Sequence, residues 1–254
     1  MQSVEELNQY FANIGKQKYR LVTEPVLQLR NVKSCPNSLL LRPTDPQEIY
    51  NIIMNLKNTN SAGYDDITHK VVRHSALFIS EALSEVINTS LSEGVFPHDL
   101  KQIVIHPIFK TGNANLAENW RPIANVSTFS KIFEYVFVNR LINFLEQNNL
   151  LCKNRFGFIK GRSTTDALVD FVAEAVTALD EKYKTLGVFL DLQKAFDSLN
   201  HEILFEKLKN LGVRGIALDW VTSYLTNRSQ KVMVNGYESK KIMFLVLEYP
   251  KVQY

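Results

Sequence analysis

A single carboxylate stands at the end of a short apolar stretch. Residues 186–190 read LGVFL and Asp191 follows them, so the pattern predicts a β-strand over 186–191 that ends in the carboxylate. A carboxylate fixed there can hold a divalent metal ion, and Phe196 could wall a pocket beside it. The alternatives are a turn cap for Asp191 and a core position for Phe196. Asp197 is a rival carboxylate, but its place near the next helix favours a capping role.

Basic residues are concentrated in the middle of the chain. The whole sequence carries a net charge of +3, whereas residues 101–165 hold nine Lys or Arg against three Glu, a net of +6. Such an excess is a weak footprint of a polyanion such as nucleic acid, and a solvated basic face is the alternative.

Cysteine usage and hydropathy narrow the class of protein. Cys35 and Cys152 are far apart and belong to no Cys/His cluster, so we expect neither a disulfide framework nor a zinc site. This favours a reducing intracellular setting, in the nucleus or the cytoplasm. No apolar run is long enough to span a membrane.

Helices and strands follow one another without strict alternation, which predicts an α+β fold with no linker between domains. Predicted helices cover 4–14, a segment from Pro46 with Asp45 as N-cap, 70–91, 127–147, 163–179, 201–212 and 216–225. Gly94 is expected to close the 70–91 helix, and Ser163 with Asp166 forms a capping pattern at the start of the 163–179 helix. Predicted strands cover 101–110, where Pro107 argues for a sheet edge, 186–191, and two segments joined around Asn235-Gly236. The 127–147 helix carries an apolar stripe that we expect to be core.

Several blocks of the sequence match the motifs of a known protein family residue by residue. FLDLQKAFDSLNHEIL (189–204) resembles the first catalytic motif of reverse transcriptases, in the form used by jockey-like non-LTR retrotransposons. Three more blocks resemble that family in the same order, namely SAGYDDI (61–67), a block from KTGN to VNRL (110–141) and NRFGFIKGRSTTDAL (154–168). Each block alone is weak evidence, but four in order are strong.

The resemblance implies a partial right-hand polymerase fold. Residues 1–44 would be a connector upstream of the polymerase, 45–180 the fingers region and 181–254 an incomplete palm, with no thumb. The implied activity is RNA-directed DNA synthesis, in which two Mg²⁺ ions assist the extension of a primer 3′-hydroxyl. The implied partners are an RNA template, a DNA primer and deoxynucleoside triphosphates.

Residue roles follow from the same resemblance. Asp191 would be the catalytic carboxylate that binds both Mg²⁺ ions, with the carbonyl of Leu192 assisting at one of them. Phe196 would abut the sugar of the incoming nucleotide. Arg121 would grip the triphosphate, with Lys110 as a second cationic clamp.

A loop of glycines and cations is implied to contact the template backbone. Its residues are Gly157, Lys160, Gly161 and Arg162; glycines permit close approach, and cations meet phosphates. Ordinary surface charge is the alternative for Lys110, Lys160 and Arg162.

One expected element is not visible in the sequence. The family supplies further carboxylates from an F/Y-x-D-D hairpin, but no Asp pair follows Asp191. Tyr64-Asp65-Asp66 precedes the fingers block and matches the opening block instead. We therefore expect these 254 residues alone to be inactive as a polymerase. The alternatives are a non-catalytic nucleic-acid-binding remnant of a retrotransposon and an α+β protein with no retained role.

The last residues suggest a reading-frame change. Relatives would carry G-V-P-Q-G-S-I where this chain ends in Glu-Tyr-Pro-Lys-Val-Gln-Tyr (248–254). One possible coding string for the relatives' motif, read one base later, encodes those seven residues. We expect residues 247–254 to be out of frame, and the encoding DNA tests this.

Overall fold

The computed structural model describes residues 3–19, 34–152, 154–159, 161–192 and 199–244. The helices are α1 (Val4–Tyr19), α2 (Pro46–Asn55), α3 (His69–Glu93), α4 (Thr128–Gln147), α5 (Thr164–Asp180), α6 (His201–Asn210) and α7 (Ile216–Leu225). The strands are β1 (Gln102–Phe109), β2 (Trp120–Val126), β3 (Arg228–Val234), β4 (Tyr237–Glu238) and β5 (Ile242–Phe244).

Local capping signals set the helix ends as the sequence predicts. The Asp45 carboxylate accepts a hydrogen bond from the Glu48 backbone N–H at 2.8 Å, and Pro46 opens α2. Ser163 and Asp166 form a reciprocal capping box at the start of α5. Gly94 ends α3 in the left-handed conformation, at φ 68°. These helix predictions are confirmed, with boundary differences of a few residues.

The five strands form one sheet in which β1 is central. It pairs antiparallel with β2 and parallel with β3, so the predicted edge position of β1 is wrong. The physical reason is that β3 pairs only with the first part of β1, from Gln102 to Ile105. Pro107 lies beyond that contact and faces Pro122 on β2. Because β3 does not pair with this part of β1, the missing N–H of Pro107 costs no hydrogen bond to β3.

The end of β3 turns back as the Asn-Gly signal predicts. Asn235 and Gly236 both have positive φ, at 51° and 83°, which a two-residue hairpin turn of this kind requires. The returning chain pairs antiparallel with β3, first as β4 and then as β5. The sheet therefore joins strands from both sides of residue 180, and the proposed boundary between fingers and palm stays a prediction.

Two apolar cores hold these elements. The larger lies between α2, α3, α4 and α7, and its centre is Trp220, which stacks on Phe137 with ring centroids 4.4 Å apart and meets Phe96 edge-on. The predicted apolar stripe of α4 lies in this core. In the smaller core, Leu7 and Phe11 of α1 pack on one face of the sheet.

Buried amides fix how α1 sits on the sheet. The Asn8 side chain is fully buried; its nitrogen donates to Ser239 Oγ at 2.7 Å, and its oxygen accepts from Gln230 Nε2 at 2.9 Å. Since these groups satisfy one another, the helix is held in one register. The segment expected to be a connector thus contributes a layer of the fold.

The predicted strand over 186–191 is wrong, since these residues form neither strand nor helix. Their side chains are exposed, with Phe189 at 83% and Leu190 at 89%. A strand exists only where a neighbour takes up its backbone hydrogen bonds, and within the described residues this stretch has no ladder partner. The apolar composition of 186–190 predicted burial, but composition alone does not show whether a neighbouring element is present to bury these side chains.

Candidate functional site

The two cations predicted to bind triphosphate lie on one face of a two-stranded ribbon. Ile108 is paired with Arg121, and the backbone N–H of Lys110 donates to the Asn119 carbonyl at 2.9 Å, which continues the ladder. Side chains two residues apart on a strand share a face, so Lys110 and Arg121 are diagonal neighbours, about 7–8 Å apart in such geometry. Both side chains are exposed. The ribbon therefore carries two exposed cations on one face.

The two faces of the ribbon differ in character. The cation-bearing face also exposes Ile108 (56%) and Ile123 (38%). On the opposite face Phe109 meets Trp120 edge-on at 5.4 Å, and Trp120 packs against the core under α1. The outer face thus combines two exposed cations, which could bind phosphate, with exposed apolar area.

The tip of the ribbon is a braced loop. Trp120 Nε1 donates to the Ala114 carbonyl at 3.0 Å, and Asn119 Nδ2 donates to the Asn113 carbonyl at 2.9 Å. Gly112 adopts φ 95°, a conformation that favours glycine. These bonds hold Lys110 and Arg121 close to a fixed turn.

The second predicted site, the 154–162 loop, is organised around two arginines. The Arg162 guanidinium lies over the Phe156 ring, 5.4 Å from its centroid, and donates to the Arg155 carbonyl at 3.0 Å. Arg155 Nε in turn donates to the Gly157 carbonyl at 3.0 Å. A Cβ at Gly157 or Gly161 would meet nothing within 4 Å, so this backbone is open to close approach. Lys160 lies outside the described residues.

The predicted metal site is brought together only in part. Asp191 and Leu192 lie in the exposed stretch after α5, and Phe196 falls outside the described residues. No cluster of three or more His, Cys, Asp or Glu side chains that could hold a metal occurs in the described part of the chain. One carboxylate and one carbonyl fit part of an oxygen-ligand set for Mg²⁺, but two ions need more donors. The role of Asp191 stays a prediction.

The SAGYDDI block has a clear place that sequence reasoning missed. It lies against the junction of β2 and α4, where the Ser127 hydroxyl donates to Asp65 Oδ2 at 2.5 Å. A Cβ on Gly63 would stand 2.4 Å from the Ser127 backbone nitrogen. The only advance signal was the small residue at 63, since the partners are 62 positions apart in sequence.

A buried histidine supports the same junction. His69 Nε2 lies 3.0 Å from Lys131 Nζ, and its Nδ1 lies 3.2 Å from the Lys57 carbonyl. Burial, followed by the charge of Lys131, lowers the pKa of His69. A neutral ring with its proton on Nδ1 satisfies both contacts, because Nε2 then accepts from the ammonium group.

The sequence analysis also did not anticipate two buried ionisable residues, Glu134 on α4 and Arg228 at the start of β3. Glu134 on α4 accepts from Ser130 Oγ at 3.0 Å, and burial raises its pKa despite the nearby charge of Arg228. The Arg228 guanidinium lies over the Tyr224 ring at 4.8 Å and donates to the Tyr224 carbonyl at 3.1 Å. These groups tie α4 and α7 to β3 and lie in the interior, so we assign them to the fold.

Comparison with known proteins bears directly on this geometry. The family model described as reverse transcriptase (RNA-dependent DNA polymerase) matches residues 108–248, more than half of the chain. The match includes the ribbon cations, the 154–162 loop and Asp191. The chain belongs to the reverse transcriptase family.

Individual relatives in this family come from mobile elements. The chain is 31% identical over 203 residues to the RNA-directed DNA polymerase from mobile element jockey of Drosophila melanogaster, covering 80% of this chain and 22% of the relative. It is 30% identical over 211 residues to the probable RNA-directed DNA polymerase from transposon BS of the same organism, covering 81% and 23%. A jockey relative from Drosophila funebris is 28% identical over 245 residues, covering 92% and 26%. The chain thus spans about a quarter of the length of these relatives.

The resemblance to jockey-like retrotransposon polymerases is therefore confirmed, and the α+β expectation agrees with the mixed helix-and-sheet architecture. Among the described helices, none has the length and apolar character needed to cross a bilayer. Residues 247–254 fall outside the described residues, so the reading-frame change stays a prediction.

Proposed function

We propose that the chain supplies the fingers of an RNA-directed DNA polymerase and grips the triphosphate of an incoming deoxynucleotide on the outer face of the β1–β2 ribbon. The observation that carries this is the shared exposed face of Lys110 and Arg121, inside the family match. The guanidinium of Arg121 can donate two parallel hydrogen bonds to phosphate oxygens, and Lys110 adds a mobile point charge.

The template would run over the 154–162 loop. Gly157 and Gly161 leave the backbone accessible, and Arg162 offers its charge beside them. Lys160 would add a further phosphate contact. Such contacts fix the position of the template without reading its sequence.

The metal chemistry of the proposed reaction needs residues from the 191–196 region. Two bound Mg²⁺ ions lower the pKa of a primer 3′-hydroxyl and neutralise the leaving pyrophosphate. Asp191 and the carbonyl of Leu192 would hold them in part, and Phe196 would abut the sugar of the nucleotide. Further carboxylates are required, so these 254 residues alone should not extend a primer.

Triphosphate binding tests the proposal without depending on catalysis. We expect Arg121→Ala and Lys110→Ala each to weaken equilibrium binding of labelled dTTP about tenfold or more, because each removes a charged hydrogen-bond donor. Lys70→Ala is the matched control, since Lys70 is an exposed cation on α3. Equal affinities for all four proteins would contradict the proposal.

Primer extension tests the missing carboxylates. The purified chain, an RNA template with a DNA primer, and Mg²⁺ or Mn²⁺ should give no product. Synthesis that disappears in Asp191→Asn would show that these residues suffice for polymerisation and that our expectation is wrong.

A second candidate function is binding of nucleic acid without catalysis. The observation that favours it is the 154–162 loop, where Arg155, Phe156 and Arg162 are joined in a small cationic and aromatic platform. Binding of an RNA–DNA hybrid should then weaken as salt rises, with a linear slope of log affinity on log salt. Hybrid binding that persists while dTTP binding is absent would favour this function over the first.

A further inference from the structure

Residues 61–67, hereafter the latch loop, contact the start of α4 directly. Asp65 uses both carboxylate oxygens, since Oδ2 accepts from Ser127 Oγ at 2.5 Å and Oδ1 accepts from the Ile67 N–H at 3.2 Å. Thr128 Oγ1 donates to the Ile67 carbonyl at 3.0 Å. The latch loop is thereby bonded to the two residues that follow β2.

The Asp65 carboxylate also directs the cap of α4. The Ser127 hydroxyl has one proton, which goes to Asp65, and its lone pair accepts from the Phe129 N–H at 3.2 Å. A carboxylate at the start of a helix is favoured by the exposed N–H groups there. Ser127 is fully buried, so water does not replace this bond readily.

Close packing completes the junction. Gly63 lies so near the chain at 126–127 that a Cβ would stand 2.4–2.7 Å from three backbone atoms. Any side chain at position 63 would therefore push the latch loop away from the end of β2.

The β1–β2 ribbon ends at this junction. β3 pairs with β1 only as far as Ile105, so residues 106–109 and 120–123 continue as two strands. α1 covers the inner face of the ribbon, β3 holds the beginning of β1, and the latch loop holds the end of β2. The direction of the ribbon, and of its outer face, is set by these supports.

We propose that Asp65 is a positioning residue for triphosphate binding, which it serves by holding Ser127 and so fixing the end of β2 whose strand carries Arg121. The inference rests on the proposed function for its triphosphate part. Its mechanical part, that Asp65 restrains the ribbon, stands on the contacts alone.

Hydrogen exchange and dTTP affinity, measured on the same variants of the full chain, test the two parts. In Asp65→Ala we expect hydrogen exchange of the backbone amides in 106–109 and 120–126, all but Pro107 and Pro122, to rise about tenfold or more, while α7 keeps its protection. The dissociation constant for dTTP should rise about three- to tenfold, because the two cations no longer share a fixed orientation. Asp65→Asn retains one acceptor oxygen and should lie between the parent and Asp65→Ala.

Asp45→Ala is the matched control. Asp45 also accepts a backbone N–H, that of Glu48, but it caps α2, and within the described residues no hydrogen bond joins its side chain to the ribbon. This control should lose comparable stability with no change in ribbon exchange or dTTP affinity. If Asp65→Ala does not fold, Asp65→Asn against Asp45→Asn gives the same comparison.

Three results would overturn the inference in distinct ways. Ribbon exchange unchanged in both Asp65 variants would show that Asp65 does not restrain the ribbon. Faster exchange with unchanged dTTP affinity would show that the restraint does not serve binding. A parent chain that binds no dTTP would overturn the proposed function and the triphosphate part together, while the exchange measurement still decides the mechanical part.

Discussion

Helices α4 and α5 both carry apolar side chains along one side, but α4 is largely buried and α5 is exposed. α4 buries eight of its residues, and five of them, including Ile132, Phe133 and Val136, belong to the larger core. α5 buries none of its residues, although Leu168, Val172 and Val176 lie on a single apolar arc. The stretch that follows α5, which carries Asp191, is exposed as well. The helices around α4 therefore form a packed body that carries the ribbon. In the described part of the chain, no element buries α5 or the segment that carries Asp191.

This contrast separates the proposed steps of the reaction. The groups proposed to bind triphosphate stand on a sheet with two cores behind it. The carboxylate proposed to hold metal stands on a stretch without ladder partners in the described part of the chain. We therefore expect these 254 residues by themselves to retain triphosphate binding better than catalysis.

The largest effect should come from the centre of the packed body. Trp220→Ala removes a side chain that is 1% exposed, stacks on Phe137 and donates to Ser90 Oγ at 3.0 Å. Cavity formation should lower the free energy of unfolding by about 3–5 kcal/mol. Phe171→Ala on α5 is the matched control in chemical denaturation, and equal losses in the two variants would break the comparison.

Two glycines should give the next largest contrast. Gly63→Ala places a Cβ 2.4 Å from backbone atoms at Ser127, so the junction must shift, at about 1–3 kcal/mol or more. At Gly157 an added Cβ meets nothing within 4 Å, and alanine should be neutral or slightly stabilising. Thermal unfolding of both variants measures the difference; a stable Gly63→Ala protein would disprove the close packing.

The features that sequence predicted well are local ones. Asp45, the Ser163–Asp166 box and the Asn235-Gly236 turn each need only residues within three positions, so pattern and structure agree. The apolar stripe of α4 was predicted as core and is buried, but periodicity shows only which face of a helix is apolar and not whether another element covers it, as the exposed arc of α5 illustrates. The strand predicted at 186–191 is wrong for the same reason, because apolar residues in the sequence do not show whether a neighbouring strand is there to pair with them.

The features that sequence missed join distant residues. Asp65 and Ser127 are 62 positions apart, and Asn8 and Gln230 are 222 apart, so no local pattern could pair them. Lys110 and Arg121 were identified by family resemblance, but their shared face follows from the strand register that pairs Ile108 with Arg121. A shift of one residue would have turned one cation to the opposite face.

The amide network under α1 should have an intermediate effect. Asn8→Ala removes the side-chain acceptor 2.9 Å from Gln230 Nε2 and leaves that buried amide only the Asn8 carbonyl at 3.4 Å, which should cost about 1–3 kcal/mol. Asn13→Ala is the control on the same helix, because the Asn13 side chain donates to the Gln9 carbonyl one turn earlier and, within the described residues, to no other element. Equal stabilities in urea denaturation would mean that α1 lies outside the packed body.

The pH dependence of stability should be smaller and have a definite sign. Since burial and Lys131 lower the pKa of His69, the unfolded chain binds its proton more readily than the folded one. The free energy of unfolding should therefore fall as the pH drops below about 6.5 toward the lowered pKa, by at most about 1.4 kcal/mol per pH unit for this proton. His69→Gln should flatten that slope, and burial of His201, which also lowers its pKa, should leave part of it.

The smallest change in stability should come from the exposed arc of α5. Leu168→Gln with Val172→Gln alters side chains that are 60% and 48% exposed, so the free energy of unfolding should stay within about 0.5 kcal/mol of the parent. Self-association, measured by sedimentation over a concentration series, should nevertheless decrease, because exposed apolar area drives aggregation. Val136→Gln on α4, where the side chain is fully buried, is the matched control and should unfold the protein. If the α5 variant lost stability as the α4 variant does, the arc would be covered in solution, and the division between a packed ribbon-bearing body and an uncovered Asp191 segment would fail.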